Sequence, residues 1–283
     1  MDSILFLLVL AVGYFGPSVA SLRVSVRALL LRPTARLVAG PTILFLACVL
    51  YARAAHLSVA SIAIGYGAFL SVPVAVLWVG RRASEPSLLQ VAAAGTALWL
   101  PIEFGLLPAL PIPAPEGFNA AELVAIVAGF YLFLIARPVN GIGYTFRLDR
   151  DDFKRAAVAL AGYTVVAIPL GLATGFVSWS PRMTRGTLLA RPVLIYLMTA
   201  VPEEFLFRGL IQNILQHSIG RPGGLAVAAV IFGFAHLPDA RYVVLATLAG
   251  FAYGWVYSRT GKITASGVTH AAVDWLWILL LRQ

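Results

Sequence analysis

Apolar runs separated by short polar connections extend along the whole sequence. The runs are continuous rather than alternating, which indicates α-helices and disfavours a β-barrel. Most hold about 16 to 22 residues, close to the length that crosses the hydrocarbon layer of a bilayer. The ten predicted segments lie at about 3–20, 37–54, 57–79, 88–110, 122–138, 157–178, 190–215, 223–237, 242–258 and 263–281. The predicted fold is all-α, a polytopic transmembrane helical bundle of about eight to ten spans.

The composition agrees with this pattern. Of the 283 residues, 60% are hydrophobic and 12% are charged, whereas soluble domains carry about 25% charged residues. The net charge of +9 would suggest nucleic acid as the partner of a soluble protein. Here most basic residues fall between apolar segments, where they set topology and contact anionic lipid. The lipid bilayer is therefore an expected partner, and nucleic acid is not.

The distribution of basic residues also predicts the orientation of the chain. If the N-terminus is outside, most of the 21 Lys and Arg residues lie in the first, third, fifth, seventh and ninth loops. Those loops are then cytoplasmic, because positive charge favours the cytoplasmic side. The single cysteine, Cys48, lies inside an apolar segment. No intrachain disulfide or cysteine-built metal site is therefore expected, and we interpret Cys48 as a packing residue.

A polar connection divides the sequence into two parts. Residues 140–155 form the longest polar stretch and mix aspartates with basic residues. Residues 1–145 contain apolar segments without a recognised motif, whereas residues 146–283 contain nearly all of the side chains suited to chemistry. We therefore predict N-terminal membrane helices in 1–145 and a catalytic core in 146–283.

Two adjacent glutamates lie in the middle of the apolar segment 190–215. An ionised carboxylate inside a membrane costs a few kcal/mol or more, so each needs a partner or a function. Glu204 and Arg208 are spaced i, i+4 on one helix face, which predicts a structural ion pair. Glu203 points about 100° away from Glu204 and has no such neighbour, so it is the candidate for chemistry. Pro202 is expected to kink the helix beside it.

Two further polar clusters follow, one ending at His236 and one containing His270 and Asp274 at i, i+4 spacing. Counted from the predicted cytoplasmic ends, these residues and Glu203 lie at similar depths of roughly 10–20 Å, so we expect them to meet in one cavity. Each histidine alone would be interpreted as a buried core residue. Phe232, one turn before His236, is expected to pack against the cavity.

Together these side chains suit the hydrolysis of an amide bond by activated water. A carboxylate such as Glu203 can remove a proton from water. His236 can orient that water or bind a divalent metal such as zinc, with His270 and Glu203 as further candidate ligands. His270, positioned by Asp274, can donate to the oxyanion that forms at the carbonyl. The sequence lacks a serine or cysteine nucleophile motif, which favours attack by water over a covalent intermediate.

The three clusters, in this order, resemble the signature of the CPBP family, the type II CAAX prenyl endopeptidases and the related bacterial Abi membrane proteases. The family pattern is Glu-Glu-x-x-x-Arg, Phe-x-x-x-His and His-x-x-x-Asn or Asp. The matching residues are Glu203, Glu204, Arg208, Phe232, His236, His270 and Asp274. The resemblance covers about residues 155–283.

This resemblance implies an intramembrane endopeptidase of a bacterial-type plasma membrane, with a cavity that opens toward the cytoplasm. Its substrate would be a peptide or a lipidated peptide. In the family the first glutamate and the middle histidine activate water, and the last motif forms the oxyanion site. An ionised Asp274 could not donate to an oxyanion, so a protonated Asp274, a ligand-like role or a role in orienting His270 is favoured here.

Two alternatives remain open at this point. One is a non-catalytic membrane scaffold, or a bacteriocin-immunity-type binding protein, of the same fold. The other is an ion-coupled transporter, which would also use Glu and His inside the membrane.

Overall fold

The computed structural model describes residues 3–112, 119–181 and 184–282, and helices make up most of them. This confirms the predicted all-α class. The chain divides into two compact units, Met1–Asn140 and Gly141–Gln283. The predicted division of function between residues 1–145 and 146–283 stays a prediction.

Within the described residues, the first unit contains six α-helices. They are α1 (Ser3–Phe15), α2 (Ala20–Leu29), α3 (Pro33–Ala54), α4 (Val59–Trp78), α5 (Leu88–Glu103) and α6 (Ala120–Tyr131), with a 3-10 turn at Gly16–Ser18 and a π-helical turn at Leu132–Ala136. Gly40 lets α3 approach α6, because a Cβ atom there would lie 2.4 Å from the ring of Tyr131. Cys48 is fully buried in α3, as expected for a packing residue.

In the part of the chain that the structure describes, the second unit contains six α-helices and a short antiparallel pair of strands. The helices are α7 (Arg150–Ala173), α8 (Arg185–Ile195), α9 (Val201–Glu204), α10 (Asn213–Phe234), α11 (Ala240–Thr260) and α12 (Ile263–Leu280). The strands are β1 (Ser178–Trp179) and β2 (Leu281–Arg282). Their pairing ties the end of α12 to the chain that follows α7.

Four of the described helices, α3, α4, α7 and α12, are long and apolar enough to cross a membrane. The bent pair Ser3–Ser18 and Ala20–Leu29, with an angle of 106° between its parts, would add a fifth. The other predicted segments are also helical but do not meet this criterion; α5, for example, is shorter. Large apolar side chains such as Ile64 and Val165 face outward, as expected in lipid. The chain is an integral membrane protein, and the total of about eight to ten spans stays a prediction.

The helix that carries the glutamate pair is irregular on both sides of it. π-helical turns at Tyr196–Ala200 and Phe205–Gln212 flank α9. Pro202 has no N–H to donate, and wider turns are one way in which membrane helices accommodate a proline. The helix around Pro202 is therefore interrupted by π-helical turns, a feature that is frequent at functional sites. The kink expected at Pro202 stays a prediction.

The connection between α11 and α12 is fixed by polar contacts with the start of the second unit. Asp149 caps α7, and Lys262 Nζ lies 3.3 Å from Asp149 Oδ2 and 2.6 Å from Asp152 Oδ2. The backbone N–H of Ile263 donates to the carbonyl oxygen of Gly143 over 3.3 Å. These contacts hold the first turn of α12, the helix that carries His270.

Candidate active site

The structure brings the predicted polar residues together inside the second unit. Glu203 and Glu204 lie on α9, and Arg208 lies on the π-helical turn that follows it. His236 follows the end of α10, while His270 and Asp274 lie on successive turns of α12. Residues that are more than 60 positions apart in sequence are thus in direct contact.

Glu204 is the centre of a buried polar network. Its side chain is fully buried, and Oε2 accepts a hydrogen bond from Arg208 Nε over 3.1 Å. The hydroxyl of Ser266 also contacts Oε2, while Oε1 lies 2.9 Å from His270 Nδ1. The ion pair expected from the i, i+4 spacing is therefore present. Glu204 also contacts α12, so its role extends beyond its own helix.

Arg208 is held by aromatic rings as well as by Glu204. Its guanidinium carbon lies 5.1 Å from the ring centroid of Phe232 and 5.9 Å from that of Tyr253. Among the described residues, its Nη1 and Nη2 atoms have no hydrogen-bond partner. Contact with ring faces offers these donors an alternative electrostatic partner.

His270 has carboxylates near both ring nitrogens. Nδ1 faces Glu204, whereas Nε2 lies 3.8 Å from Glu203 Oε2 and 3.5 Å from Asp274 Oδ2. The latter two distances exceed ordinary hydrogen-bond lengths and describe charge contacts. The ring of Tyr253 stacks on the imidazole with centroids 4.5 Å apart. An imidazole in this position can act as a donor on both edges only when it is doubly protonated.

The two adjacent glutamates differ sharply in exposure. The Glu203 side chain is 37% exposed, whereas the Glu204 side chain is 0% exposed. Asp274 is 33% exposed. Glu203 and Asp274 are therefore the carboxylates that a water or a substrate can reach, while Glu204 is enclosed by protein.

His236 is oriented by the last turn of α10, which it follows. Its Nδ1 atom lies 2.8 Å from the carbonyl oxygen of Phe232, and a carbonyl can only accept, so Nδ1 carries the proton in this contact. In the neutral ring Nε2 is then left with a lone pair. Phe232 contacts both imidazoles, with ring centroids 4.9 Å from His236 and 5.8 Å from His270, as expected for cavity packing.

A cavity of about 420 Å³ lies beside this network. The predicted residues Phe232, His236, His270 and Asp274 are among those that line it. Glu203, which was expected in the same cavity, is not among its described lining residues, although its Oε2 atom lies 3.8 Å from His270 Nε2. The cavity is also lined by residues that the motifs did not single out, namely Tyr163, Arg191, Thr199, Tyr242 and Tyr253. Nothing in the sequence marks these tyrosines, because they come from α7 and α11, which carry none of the three clusters.

The predicted metal ligands do not form a ligand set in the described parts of the chain. No group of three or more His, Cys, Asp or Glu there is arranged to hold a metal ion. Binding of zinc or another divalent metal by His236, His270 and Glu203 therefore stays a prediction.

Comparison with known proteins agrees with the motif analysis. Residues 185–276 match the family described as type II CAAX prenyl endopeptidase Rce1-like. No curated protein and no solved structure matches the chain. The matched region contains all three polar clusters, so the resemblance to the CPBP family is confirmed.

Proposed function

Residues 185–276 form a type II CAAX prenyl endopeptidase Rce1-like domain, and from this premise we propose a specific reaction. The chain hydrolyses a peptide bond in a membrane-associated or lipidated peptide, using a water molecule activated by Glu203. The observation that carries this proposal is the contrast between the two glutamates. Glu204 is fully buried and paired, whereas Glu203 is 37% exposed and lies beside His270.

Glu203 is the general base in this proposal. Its carboxylate takes a proton from water, and the resulting hydroxide attacks the carbonyl carbon of the scissile bond. The C–N bond of the tetrahedral intermediate then breaks, and the acid form of Glu203 returns the proton to the leaving nitrogen. The Nε2 lone pair of His236 accepts a hydrogen bond from the same water and orients it.

His270 and Asp274 are the positioning groups of this reaction. The sequence suggested that they donate to the oxyanion, or that they bind a metal. The carboxylates near both nitrogens of His270 support a positioning role instead. In this role the imidazolium holds Glu203 in place, and Asp274 orients the ring.

The test is peptide cleavage by the full chain reconstituted in liposomes. The probe is a fluorescent peptide that ends in an S-farnesylated cysteine followed by three residues, compared with the same peptide without the lipid. Glu203→Gln should lower kcat by about 10²- to 10⁴-fold, the usual contribution of a general base. Glu103→Gln, an exposed glutamate at the end of α5, is the matched control and should keep full activity. Cleavage that survives Glu203→Gln would remove Glu203 from the role of base.

We also propose that the first, third, fifth, seventh and ninth loops face the cytoplasm of a bacterial-type cell. The bias of basic residues toward one set of loops supports this orientation. A Cys48→Ser background contains no cysteine, so single cysteines can report the two sides of the membrane. In sealed right-side-out vesicles, an impermeant maleimide should label Arg53→Cys and spare Arg259→Cys. The reverse pattern would invert the proposed topology.

A further inference from the structure

Three arginines of the first unit lie close together without a carboxylate partner. Arg23 and Arg27 lie on α2, and Arg36 lies near the start of α3. Arg23 and Arg36 are both near enough to Arg27 to repel its charge. None of the three forms an ion pair with a carboxylate that the structure describes. We call these three residues the arginine cluster.

The neighbouring sequence offers the arginine cluster no counter-charge. Residues 3–84 contain no Asp or Glu, whereas they contain Arg23, Arg27, Arg32, Arg36, Arg53, Arg81 and Arg82. Guanidinium groups that repel one another destabilise the fold unless an anion lies among them. Since this part of the chain supplies no anion, we expect one from outside the protein.

The arginine side of α2 is turned toward the protein. Arg27 donates from Nε to the carbonyl oxygen of Ile135 over 3.2 Å, and from Nη2 to that of Leu134. Both carbonyl groups belong to the π-helical turn that follows α6, so these bonds fix α2 against that turn. Arg23 is half-buried as well, whereas Leu29 is 81% exposed. The charged face of α2 is therefore the covered one.

The arginine cluster keeps hydrogen-bond donors for a ligand. Arg27 uses only Nε and Nη2 in its contacts with carbonyl groups. The side chains of Arg23 and Arg36 form no hydrogen bond with the residues that the structure describes. The Nε atom of Arg36 is nevertheless buried, and a buried donor costs free energy until an acceptor reaches it. The oxygen atoms of an anion would satisfy these donors.

The orientation of α2 indicates the membrane surface as the source of that anion. α2 is bent by 106° from Ser3–Ser18, so it runs nearly parallel to the bilayer when that segment crosses it. A helix in this orientation lies at the level of the lipid headgroups, with its apolar side chains against acyl chains. The exposed side chains of Leu22, Val24 and Leu29 suit that contact.

We propose that the arginine cluster binds the phosphate group of an anionic phospholipid. The planar guanidinium groups match phosphate oxygens with paired N–H donors. Phosphatidylcholine is disfavoured, because it would place a choline cation beside three arginines. The site is independent of the proposed peptidase, since α2 and α3 lie outside the matched residues 185–276.

Lipid binding to the full chain in detergent tests this proposal. The probe is a fluorescent phosphatidylglycerol, and unlabelled phosphatidylglycerol and phosphatidylcholine with the same acyl chains compete for it. Phosphatidylglycerol should compete at least about tenfold more strongly, as expected when several guanidinium groups hold one net negative charge.

Substitutions then assign the preference to the arginine cluster. Arg23→Gln and Arg36→Gln should each weaken phosphatidylglycerol binding by about three- to tenfold, because a half-exposed charge contact is partly screened. Competition by phosphatidylcholine should not change. Arg23→Lys and Arg36→Lys should keep part of the affinity, since lysine retains the charge but lacks the planar fork. Arg27 stays intact in these variants, because it also holds α2 in place.

Arg82→Gln is the matched control. Arg82 is an exposed arginine of the same unit, on the same predicted side of the membrane, and it lies outside the arginine cluster. This variant should keep the wild-type affinity for phosphatidylglycerol. Without lipid, the unfolding midpoints of Arg23→Gln and Arg36→Gln should match that of the wild type, because neither side chain bonds to the described residues.

Equal competition by the two lipids, or a preference that survives both glutamine substitutions, would overturn the proposal. Inorganic phosphate distinguishes a lipid from a soluble source of the same group. It should compete poorly, because it lacks the acyl chains that contact α2. If inorganic phosphate displaces the probe as well as phosphatidylglycerol does, and Arg36→Gln abolishes this, the site takes soluble phosphate and the lipid assignment is wrong. Peptide cleavage enters none of these measurements, so their outcome is separate from that of the proposed function.

Discussion

His270 Nδ1 lies 2.9 Å from Glu204 Oε1, and both side chains are buried. This contact joins α9 to α12 and sets the direction in which the imidazole points. With Nδ1 committed to Glu204, the opposite edge of the ring faces Glu203 and Asp274. The buried glutamate therefore positions the histidine, and the histidine positions the exposed glutamate.

The two glutamates should separate activity from stability. Glu203→Gln should lose activity while keeping its unfolding midpoint, because the side chain is partly exposed. Glu204→Gln leaves Arg208 buried without its carboxylate, and the breaking of a buried pair typically costs about 3–5 kcal/mol. Unfolding in detergent, followed by circular dichroism, measures both variants. If Glu203→Gln destabilises the chain as much as Glu204→Gln does, the proposed division of roles is wrong.

The Glu204–Arg208 pair should show strong coupling in a double-mutant cycle. Glu204→Gln and Arg208→Met each leave one buried charge without the other member of the ion pair, whereas the double variant leaves neither charge. We expect the double variant to be less destabilised than the sum of the single variants by about 1–3 kcal/mol. The free energies of unfolding of the four proteins give this coupling. Additive effects would mean that Arg208 is stabilised chiefly by the rings of Phe232 and Tyr253.

Contacts within one helix could be predicted from the sequence, because helix geometry fixes them. The i, i+4 spacing placed Glu204 beside Arg208, and in the structure Arg208 Nε lies 3.1 Å from Glu204 Oε2. The same spacing placed His270 beside Asp274, and in the structure His270 Nε2 lies 3.5 Å from Asp274 Oδ2. The all-α fold followed in the same way from continuous apolar runs.

Contacts between helices could not be predicted in this detail. Similar depth suggested that Glu203 and His270 share a cavity, but not that Glu204 binds the other edge of the same imidazole. That contact depends on how α12 is rotated against α9, and Ser266 and Tyr253 join the network for the same reason. The break in α10 at Ile219 and Gly220 is another feature of backbone geometry that hydropathy does not encode.

The ion pairs of Lys262 with Asp149 and Asp152, at the start of α7, predict that the folded state is sensitive to acid. The backbone N–H of Asp152 and the ammonium of Lys262 lower the pKa of the Asp149 carboxyl from its ordinary value of 3.8. A lowered folded-state pKa means that this stabilisation is present above the ordinary value and is lost as the pH falls through the folded value. We therefore expect Asp149 to contribute to a fall in the unfolding midpoint as the pH is taken below about 4.

Asp149→Asn tests this contribution with little change in capping, since Asn and Asp are similar N-cap residues. The variant should lose less stability than the wild type between pH 6 and pH 3. Asp151→Asn is the adjacent control, because Asp151 pairs only with Lys154 in the described structure and both side chains are exposed. It should keep the full acid-induced loss. An unchanged pH profile for Asp149→Asn would contradict the assignment.

Gly143 and Gly175 both have left-handed backbone conformations but differ in the space around them. Gly143 has a φ of 69°, and a Cβ atom there would lie 1.6 Å from the carbonyl oxygen of Gly261. Gly175 has a φ of 63°, and a Cβ atom there would meet nothing within 4 Å. Gly175→Ala should therefore cost only the backbone term of about 1–2 kcal/mol. Gly143→Ala should cost more, because the backbone near Gly261 must move as well.

Gly143→Ala should also lower activity more than Gly175→Ala does. The carbonyl oxygen of Gly143 accepts the N–H of Ile263, the first residue of α12. Displacement of that turn moves the helix that carries His270, so Gly143→Ala should lower kcat in the peptide assay. Gly175→Ala should leave kcat near the wild-type value at a temperature where both variants are folded. Equal losses of stability and activity in the two variants would show that the contact between Gly143 and Gly261 does not hold α12 in place.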